Sequence, residues 1–511
     1  MKITLISTST FPSDQGIRTI SSVLKEQGHS VKIVFMTLTE DYSQNYSKKE
    51  LIQLAKICRG SKLIGINSFA STAKRAAKII PFLEKTLPKI PIVYGGVHAT
   101  ISPEKAIKDC NLVVVGEAEI TIKELAKAIE ESKSIKKIKN LWIKEDGKLT
   151  KNPLNHLIDD LDQLPFIDYD LEDHYILENS KIRKFQEKDL TGQVFFLTGR
   201  GCPYGCDYCS NSHFNKMYEG KRKKILRWHS PKYMVDCILF LKSKFPSLTY
   251  LDIRDDTFSL RPLNHIKEFC EIYKEKVNMR FKCLADPKTV TDEKIKLLVD
   301  AGCTDIIIGI QGSERANKEI YHRMQTDENV IRTAKILNKY KQLAVMYDVI
   351  TCNPYEKPSD IVSLIRLLQK LPKPYYLSVN NLVFFPGTQL YQKAKIDGTI
   401  KTEEDAAYQL NYWDRGKHIK LKKKNIYLNL ILNLMRGSVT QTRFGFMPNS
   451  ILNFLLNKEI IEKNLKNPTL SYVVLFFLSI YDFNREKILK PVYRSLPVSF
   501  KTWYDTVRYR V

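Results

Sequence analysis

The feature that most constrains the fold of this chain is a regular alternation of apolar, strand-like runs with amphipathic, helix-like segments. In residues 1–150, helical patterns separate five short apolar runs: Ile3–Ser7, Val31–Met36, Leu63–Asn67, Ile92–Tyr94 and Leu112–Val115. Strands separated by helices in this way form a parallel sheet with helices on its faces. The pattern therefore predicts an α/β protein whose residues 1–150 form a doubly wound, Rossmann-like domain.

A second alternating series begins near Gln193 and contains six further apolar runs. The predicted strands are Val194–Thr198, Leu248–Ile253, Arg280–Leu284, Asp305–Ile310, Ala344–Ile350 and Tyr376–Asn380. Six strand–helix units predict an open, barrel-like parallel sheet over residues 191–400, with catalytic groups at the carboxyl ends of the strands. Residues 151–190 are rich in Pro, Asp and Asn, and this composition predicts a linker between the two domains.

The last segment, residues 401–511, has helical patterns and a basic composition. Residues 400–511 contain 19 Lys and Arg against 9 Asp and Glu, a net charge of +10 in a chain whose formal charge is +25. They include the run Lys420-Leu421-Lys422-Lys423-Lys424 and the apolar stretches Ile426–Leu434 and Tyr472–Ile480. Two interpretations remain open: a solvated helical cap over the barrel mouth, or a platform for an anionic or lipid-like substrate or a membrane surface.

The sequence also favours a compartment. The chain opens directly on a strand pattern, and no apolar run approaches the roughly 18 residues of a membrane-spanning helix. We therefore expect a cytoplasmic protein, with contact at the inner face of the membrane as a secondary expectation. Ten cysteines in such a chain indicate metal or redox chemistry more than disulfides. Seven of them are scattered and are interpreted as small buried hydrophobes: Cys58, Cys110, Cys237, Cys270, Cys283, Cys303 and Cys352.

The other three cysteines form the motif Cys202-x3-Cys206-x2-Cys209 directly after a predicted strand. Glycines and a proline between them allow a tight loop, so three thiolates can converge on one 4Fe-4S cluster and leave its fourth iron open. The alternative is a structural zinc site completed by His213. We favour the cluster because the motif lies at the carboxyl end of a barrel strand, where active sites are found.

This motif, with Tyr208 before its last cysteine, resembles that of the radical S-adenosylmethionine (radical SAM) superfamily. The resemblance implies a partial (β/α)6 barrel, S-adenosylmethionine bound to the open iron and a 5′-deoxyadenosyl radical. It extends to two further strand ends. Asp255 and Asp256 correspond to residues near the methionine amino group, although a turn or helix cap is the alternative interpretation. Gln311 and Ser313 correspond to residues near the ribose and the carboxylate.

Small and polar residues also follow the strands of the first domain, where parallel sheets bind ligands. They are Ser68, Gly95, Gly96, Gly116 and Glu117, although Gly95-Gly96 could equally be an ordinary turn. The segments Tyr94–Thr100 and Val115–Glu119 resemble the cobalamin-binding subgroup of radical SAM proteins, which implies a cobalamin cofactor at this edge. The chain contains no D-x-H-x-x-G sequence, so we expect cobalt without a protein imidazole ligand.

These features predict a radical SAM enzyme that transfers a methyl group to an unactivated carbon or phosphorus centre. Radical cyclisation, rearrangement or carbon–carbon coupling without methyl transfer is the alternative. A zinc-stabilised protein that binds nucleic acid is a remote third hypothesis, because it leaves the barrel strand ends without a role. The expected partners are a small-molecule or lipid-like substrate and an electron donor such as flavodoxin or ferredoxin. The sequence assigns no catalytic side chain.

Overall fold

The computed structural model describes residues 1–38, 44–190, 193–220, 224–402, 425–439 and 448–474. The chain divides into two compact units, residues 1–281 with 384–411 and residues 282–383 with 412–511. Among the described residues, no helix is both long and apolar enough to span a bilayer.

The first sheet lies within the first unit and confirms the doubly wound, Rossmann-like domain. Its nine strands are β1 (Lys2–Ser7), β2 (Ser30–Phe35), β3 (Leu63–Asn67), β4 (Ile92–Gly95), β5 (Leu112–Val114), β6 (Leu141–Glu145), β7 (Lys148–Lys151), β8 (His174–Glu178) and β9 (Lys181–Lys184). Their order is β7-β6-β5-β4-β3-β1-β2-β8-β9. The strand order reverses at β1, which pairs in parallel with both β2 and β3. The carboxyl ends of β1, β3 and β4 therefore share one edge, where ligands of such sheets bind.

Helices cover this sheet because each presents an apolar stripe to it. They are α1 (Gln15–Glu26), α2 (Lys48–Cys58), α3 (Ala73–Thr86), α4 (Val97–Ile101), α5 (Pro103–Asp109) and α6 (Glu119–Glu130). Helix α2 begins with a capping box, in which the Ser47 backbone N–H donates to Glu50 Oε2 at 2.7 Å and the Glu50 N–H donates to Ser47 Oγ at 3.4 Å. Short 3-10 helices occur at Ala70–Thr72, Leu161–Gln163, Glu187–Leu190 and Phe258–Leu260.

The second series contains all six predicted strands, each ending within two residues of its predicted position. Its strands are β10 (Gln193–Phe196), β11 (Gly199–Arg200), β12 (Arg227–Trp228), β13 (Tyr250–Ile253), β14 (Arg280–Ala285), β15 (Cys303–Gln311), β16 (Ala344–Thr351) and β17 (Tyr376–Asn381). Its helices are α7 (Ser210–Met217), α8 (Pro231–Lys244), α9 (Leu263–Lys276), α10 (Asp292–Asp300), α11 (Glu314–Glu319), α12 (Asp327–Leu337), α13 (Pro358–Lys370) and α14 (Gln389–Ile396). The short β11 and β12 are not among the six predicted strands.

Strand pairing within each unit is parallel for the predicted strands. In the first unit β10 pairs with β13, so that Phe196 lies beside Ile253. In the second unit β15 pairs with β16 and β16 with β17. The register of β15 shifts between Gly309 and Gln311, at the strand end where the sequence predicts a binding segment.

The carboxyl-terminal region is helical where the structure describes it. Its helices are α15 (Ile426–Val439), α16 (Asn449–Leu455) and α17 (Lys458–Lys466). The apolar stretch Ile426–Leu434 lies in α15, where Ile426 and Leu430 are buried. The lysine run 420–424 and residues 475–480 of the second apolar stretch lie outside the described residues.

The predicted linker, residues 151–190, contributes β8 and β9 to the first sheet, and a buried arginine of α1 fastens it there. Arg18 is fully buried, and its guanidinium donates to the carbonyl oxygens of Pro12 at 2.8 Å and Asp168 at 2.8 Å. The same group lies 4.1 Å from the ring centroid of Tyr169 and 4.5 Å from that of Phe35. Arg18 therefore joins the loop after β1 to the segment before β8.

Replacing Arg18 by Met should lower the free energy of unfolding by about 3 kcal/mol, because buried carbonyl groups lose a charged donor. The measurement is the midpoint of urea denaturation of the cofactor-free protein. Arg183→Met is the matched control, since Arg183 pairs with Glu178 and Asp189 nearer the surface. It should cost about 1 kcal/mol or less. Equal losses in the two variants would contradict the role given to Arg18.

Candidate active site

The cysteine loop, residues 201–209, begins where β11 ends and leads directly into α7. Strand β11 pairs antiparallel with β12, so that Arg200 lies opposite Arg227. Gly201 has a φ angle of 90°, and a Cβ atom there would lie 2.1 Å from the carbonyl oxygen of Ile225. Since only glycine fits this conformation and this close approach, the chain can turn sharply just before Cys202.

The three cysteines of the loop are brought together by the backbone. Cys202 and Cys206 are buried, and Cys209 is half-buried. The N–H of Cys209 donates to the carbonyl oxygen of Cys206 at 2.9 Å. Asn215 of α7 donates from Nδ2 to the carbonyl oxygen of Cys202 at 2.8 Å. The loop is thus held at both ends, as the ligands of a single cluster require.

Burial raises the pKa of the Cys202 thiol to about 12 and that of the Cys209 thiol to about 11. The negative charges of Asp256 and Cys206 act on both thiols in the same direction, which shows that these groups are close together. Both thiols are therefore protonated at neutral pH in the absence of iron. Iron ligation replaces these protons, because the thiolate is the ligand form.

The zinc hypothesis requires His213 as a fourth ligand. His213 Nδ1 donates to the carbonyl oxygen of Gly387 at 3.1 Å, which would leave Nε2 as the nitrogen able to bind a metal ion. In the part of the chain that the structure describes, no three His, Cys, Asp or Glu side chains are arranged to hold one metal ion. The thiolates of a cubane lie farther apart than the ligands of one ion, because each binds a different iron. Iron and acid-labile sulfide content distinguishes the cluster from zinc.

Asp255 is a predicted cofactor residue, but both of its carboxylate oxygens accept hydrogen bonds from other residues of the chain. Its Oδ1 accepts from the backbone N–H groups of Thr198 at 2.6 Å and Gly199 at 3.1 Å. Its Oδ2 accepts from Thr198 Oγ1 and lies 2.7 Å from Nη2 of the fully buried Arg261. Asp255 thus fixes the backbone that leads into the cysteine loop.

Asp256 differs from its neighbour because its carboxylate remains accessible. The side chain is exposed to water, yet burial by surrounding protein atoms raises its pKa, against a hydrogen bond from Asn211 that lowers it. Because its charge acts on Cys202 and Cys209, this carboxylate lies near the cysteine loop.

In the second unit, the predicted residues Gln311 and Ser313 lie at the end of β15. Gln311 has a φ angle of 68° and folds its amide over Gly309, where a Cβ atom would lie 2.6 Å from Gln311 Nε2. Ser313 is buried, and its Oγ accepts from the Ala316 N–H at 3.2 Å, which caps α11. The Ser313 hydroxyl is therefore used by the fold, whereas the Gln311 amide is half-buried at the strand end.

The same strand end contains a buried acid that the sequence did not reveal. Glu356 is 2% exposed, and burial raises its pKa to about 8. Its Oε1 lies 3.5 Å from the position of a Cβ atom on Gly312, so the carboxyl group packs against the Gln311-Gly312 backbone. Glu356 therefore carries a proton at neutral pH. No motif marks this residue, since its raised pKa comes mainly from burial, with a further contribution from the charge of Asp360.

At the ligand edge of the first sheet, three predicted residues lie together at the ends of β3 and β4. Ser68 is fully buried and its Oγ lies 2.6 Å from the Tyr94 hydroxyl oxygen. Gly96 has a φ angle of 95°, and a Cβ atom there would lie 2.5 Å from Asn67 Oδ1. A Cβ atom on Gly95 would make an ordinary van der Waals contact with Val114, at 3.9 Å. Ser68 and Gly96 thus fix the backbone at this edge, Ser68 through its hydrogen bond and Gly96 through a close approach that no larger residue allows.

The other two predicted residues of this edge, Gly116 and Glu117, face the cysteine loop. Glu117 pairs with Arg227 at 2.5 Å and with Arg200 at 3.0 Å. Gly116 has a φ angle of 96°, and a Cβ atom there would lie 2.1 Å from the hydroxyl oxygen of Tyr218. Burial raises the pKa of the Glu117 carboxyl, but the two guanidinium groups outweigh this effect and hold it below its ordinary value. Glu117 is therefore an ionised partner of arginines.

Exposed apolar side chains at the strand ends were missed by the sequence reasoning. Phe11 follows β1, Phe69 follows β3 and Leu197 follows β10; they are 42%, 41% and 40% exposed, respectively. Phe11 packs edge-on against Phe195 of β10 at 5.4 Å between ring centroids. Exposed apolar groups at a binding edge provide a surface for a large, partly apolar ligand. Phe11 and Phe69 could have been found from the sequence, because each is an aromatic residue two to four positions beyond a predicted strand.

Comparison with known proteins gives one family model for each of the two alternating strand–helix series. Residues 1–126 match the family model of the B12 binding domain, and residues 196–368 match that of the Radical SAM superfamily. An uncharacterised methyltransferase of Pyrococcus horikoshii is 25% identical over 393 residues, which are 76% of this chain and 79% of the relative. The cytidylyl-2-hydroxyethylphosphonate methyltransferase of Streptomyces wedmorensis is 23% identical over 65% of this chain and 66% of its own length.

A solved structure shows the same fold. The radical S-adenosylmethionine methyltransferase TsrM from Kitasatospora setae, with cobalamin and a 4Fe-4S cluster bound, has a TM-score of 0.63 and 16% identity. The likeness covers 77% of this chain and 78% of that one. The predicted fold class, a Rossmann-like domain followed by a partial barrel and a helical region, is thereby confirmed. The exact domain boundaries stay predictions.

Replacing Gly201 by Ala should destabilise the cofactor-free protein by about 1–3 kcal/mol, because the added Cβ meets a backbone carbonyl at a positive φ angle. Gly205→Ala in the same loop is the control, since no atom lies within 4 Å of its missing Cβ. It should change stability by about 0.5 kcal/mol at most. Thermal unfolding measures both variants, and an unperturbed Gly201→Ala protein would disprove the tight turn.

Proposed function

We propose that this chain, which belongs to the radical SAM enzymes that carry a B12-binding domain, transfers a methyl group to an unactivated carbon or phosphorus centre of a small molecule. The observation that carries the proposal is the direct contact between the ligand edge of the first sheet and the cysteine loop, through Glu117 and Arg200. A cobalamin at that edge would lie beside the cluster. The printed names of the relatives from Pyrococcus and Streptomyces also support methyl transfer.

The cofactors are a 4Fe-4S cluster, S-adenosylmethionine and cobalamin. When bound, they supply reductive cleavage of S-adenosylmethionine and the transfer of a methyl group. We assign the cluster to Cys202, Cys206 and Cys209, whose number leaves one iron for S-adenosylmethionine. Asp256 is suited to the methionine ammonium group, because its carboxylate is exposed and lies near the cysteine loop. Asp255 takes a supporting role, since its oxygens are used by Thr198, Gly199 and Arg261.

The cobalamin would lie over the ends of β3 and β4. Gly95 would lie beside it at the end of β4, whereas Ser68 and Gly96 would fix the backbone beneath. Phe11, Phe69 and Leu197 would exclude water from this edge, because they present apolar surface where the sheet ends. His98 of α4 is buried, and burial lowers its pKa to about 4. The absence of a protein imidazole on cobalt stays a prediction, since it comes from the missing D-x-H-x-x-G sequence.

In the second unit, Gln311 remains our candidate for contact with the ribose or carboxylate of S-adenosylmethionine. Its amide lies at the carboxyl end of β15, where barrel enzymes bind their ligands. Ser313 supports the same segment by capping α11.

The cluster needs an outside electron donor, for which a flavodoxin or ferredoxin is our proposal. Helix α7 follows the cysteine loop, and α14 reaches the loop through the Leu390 N–H, which donates to the Asp207 carbonyl oxygen at 3.0 Å. The surface of these helices carries exposed Lys216 and Lys395 and an 87% exposed Ile396. Positive charge around an apolar centre suits an acidic carrier protein. A lipid-like substrate and a membrane contact of the basic carboxyl-terminal region remain secondary proposals.

Replacing Cys202, Cys206 or Cys209 by Ala should abolish the cluster, because the loop supplies only three thiolates and the cluster needs all of them. The wild-type protein, reconstituted without oxygen, should hold about four irons and four sulfides per chain. Cys270→Ala is the control, since Cys270 is buried in α9 and should leave iron binding unchanged. Stoichiometric zinc without acid-labile sulfide would contradict the assignment.

The reaction is tested with S-adenosylmethionine labelled in its methyl group, a reductant and a panel of small molecules that offer unactivated carbon or phosphorus centres. Turnover should release S-adenosylhomocysteine and 5′-deoxyadenosine in near-equal amounts and a labelled product one methyl heavier. The Cys202→Ala variant is the control and should form no 5′-deoxyadenosine. If 5′-deoxyadenosine forms without S-adenosylhomocysteine or label transfer, the reaction is cyclisation, rearrangement or coupling instead.

A further inference from the structure

Residues between the end of β5 and the first residue of α6 form hydrogen bonds with the chain on both sides of the cysteine loop. Before the cysteines, Arg200 donates to Glu117 Oε2 at 3.0 Å and to Glu119 Oε1 at 2.6 Å. After them, the hydroxyl oxygen of Tyr218 at the end of α7 accepts from the Glu117 N–H at 3.2 Å. One short loop of the B12-binding domain therefore contacts the chain two residues before Cys202 and nine residues after Cys209.

A second arginine strengthens this contact. Arg227 of β12 donates from Nη1 and Nη2 to the two oxygens of Glu117, at 3.0 and 2.5 Å. Because β12 pairs with β11, Arg227 and Arg200 lie opposite each other and converge on the same carboxylate. Two arginines that share one carboxylate leave little freedom for the strand that carries them.

The backbone of Gly116 and Glu117, which carries this carboxylate, is hydrogen-bonded within the sheet domain. Asn140 donates from Nδ2 to the Glu117 carbonyl oxygen at 2.8 Å, and Thr100 Oγ1 accepts from the Gly116 N–H at 3.1 Å. The Arg227 side chain is 3% exposed and that of Glu119 7%, so water screens these two charges weakly, whereas Glu117 and Arg200 are 25% and 27% exposed. The contact is therefore shielded from water at Arg227 and Glu119 and partly reached by it at Glu117 and Arg200.

We propose that Glu117 is a positioning residue, which uses Arg200 and Arg227 to hold the start of the cysteine loop against the ligand edge of the B12-binding sheet. This inference rests on the proposed function for its purpose, which is a fixed separation between the two cofactor sites. A methyl acceptor activated at one site must reach the other before its radical is lost, so a loose contact permits unproductive cleavage.

The first test uses the cofactor-free protein and hydrogen exchange. Glu117→Gln keeps the shape of the side chain but removes its charge, and should speed amide exchange about tenfold in peptides covering residues 199–209 and 225–229. Peptides covering β1 should exchange as in the wild type. Glu178→Gln, which weakens an exposed pair with Arg183, is the control and should leave both regions unchanged.

A double variant separates a specific contact from general weakening. If Glu117 acts through Arg227, then Glu117→Gln combined with Arg227→Met should accelerate exchange little more than Arg227→Met alone. Additive effects, or unchanged exchange in Glu117→Gln, would overturn the inference. These measurements need no substrate, so they stand even where the proposed methyl transfer fails.

The second test uses the reconstituted holoenzyme with S-adenosylmethionine, dithionite and a small molecule that the labelled-methyl assay shows to be methylated. Glu117→Gln should keep its iron and cobalamin content, yet release at least about threefold more 5′-deoxyadenosine per S-adenosylhomocysteine than the wild type. An unchanged ratio together with faster exchange would reduce Glu117 to a structural residue and overturn its positioning role. A wild-type protein that forms neither product in the labelled-methyl assay would refute the proposed function and leave the exchange result intact.

Discussion

The buried ion pair between Asp255 and Arg261 is the interaction on which the cysteine loop depends. Arg261 is fully buried and donates to Thr198 Oγ1 as well as to Asp255, while Asp255 accepts the backbone N–H groups of Thr198 and Gly199. The end of β13 is thereby joined to the end of β10, directly before the turn at Gly201. Loss of one partner would leave a buried charge without compensation, at a cost of about 3–5 kcal/mol. The loop is therefore placed by two neighbouring strands.

The strands themselves could be predicted because their pattern is local. Eleven apolar runs separated by amphipathic helices determine a parallel α/β protein whatever the details of packing, and all eleven are strands in the structure. The hairpin of β6 and β7 was missed, although its turn residues Asp146 and Gly147, with φ angles of 48° and 76°, form a recognisable two-residue turn sequence. Strand β8 was missed for a different reason. The segment before it, which includes Asp168, is held by Arg18, a residue remote in sequence.

The site was predictable in position but less so in role. Strand-end reasoning predicted that Ser68, Gly96, Asp255 and Glu117 follow the carboxyl ends of strands, and in the structure each lies within three residues of one. It could not distinguish a side chain that faces a ligand from one that another part of the chain already engages. That distinction depends on partners such as Tyr94 and Arg261, which are remote in sequence. Asp255 and Asp256 are adjacent, yet one is buried and supports the backbone, whereas the other is exposed.

The protonated state of the buried thiols has a consequence for how the protein matures. Because burial raises the pKa values of Cys202 and Cys209, both are thiols at neutral pH, and a thiol reacts with oxidants and disulfides more slowly than a thiolate. Iron ligation must also release these protons, which makes cluster assembly more favourable as pH rises. The same burial therefore couples cluster assembly to proton release, and an iron donor that also accepts protons would favour it.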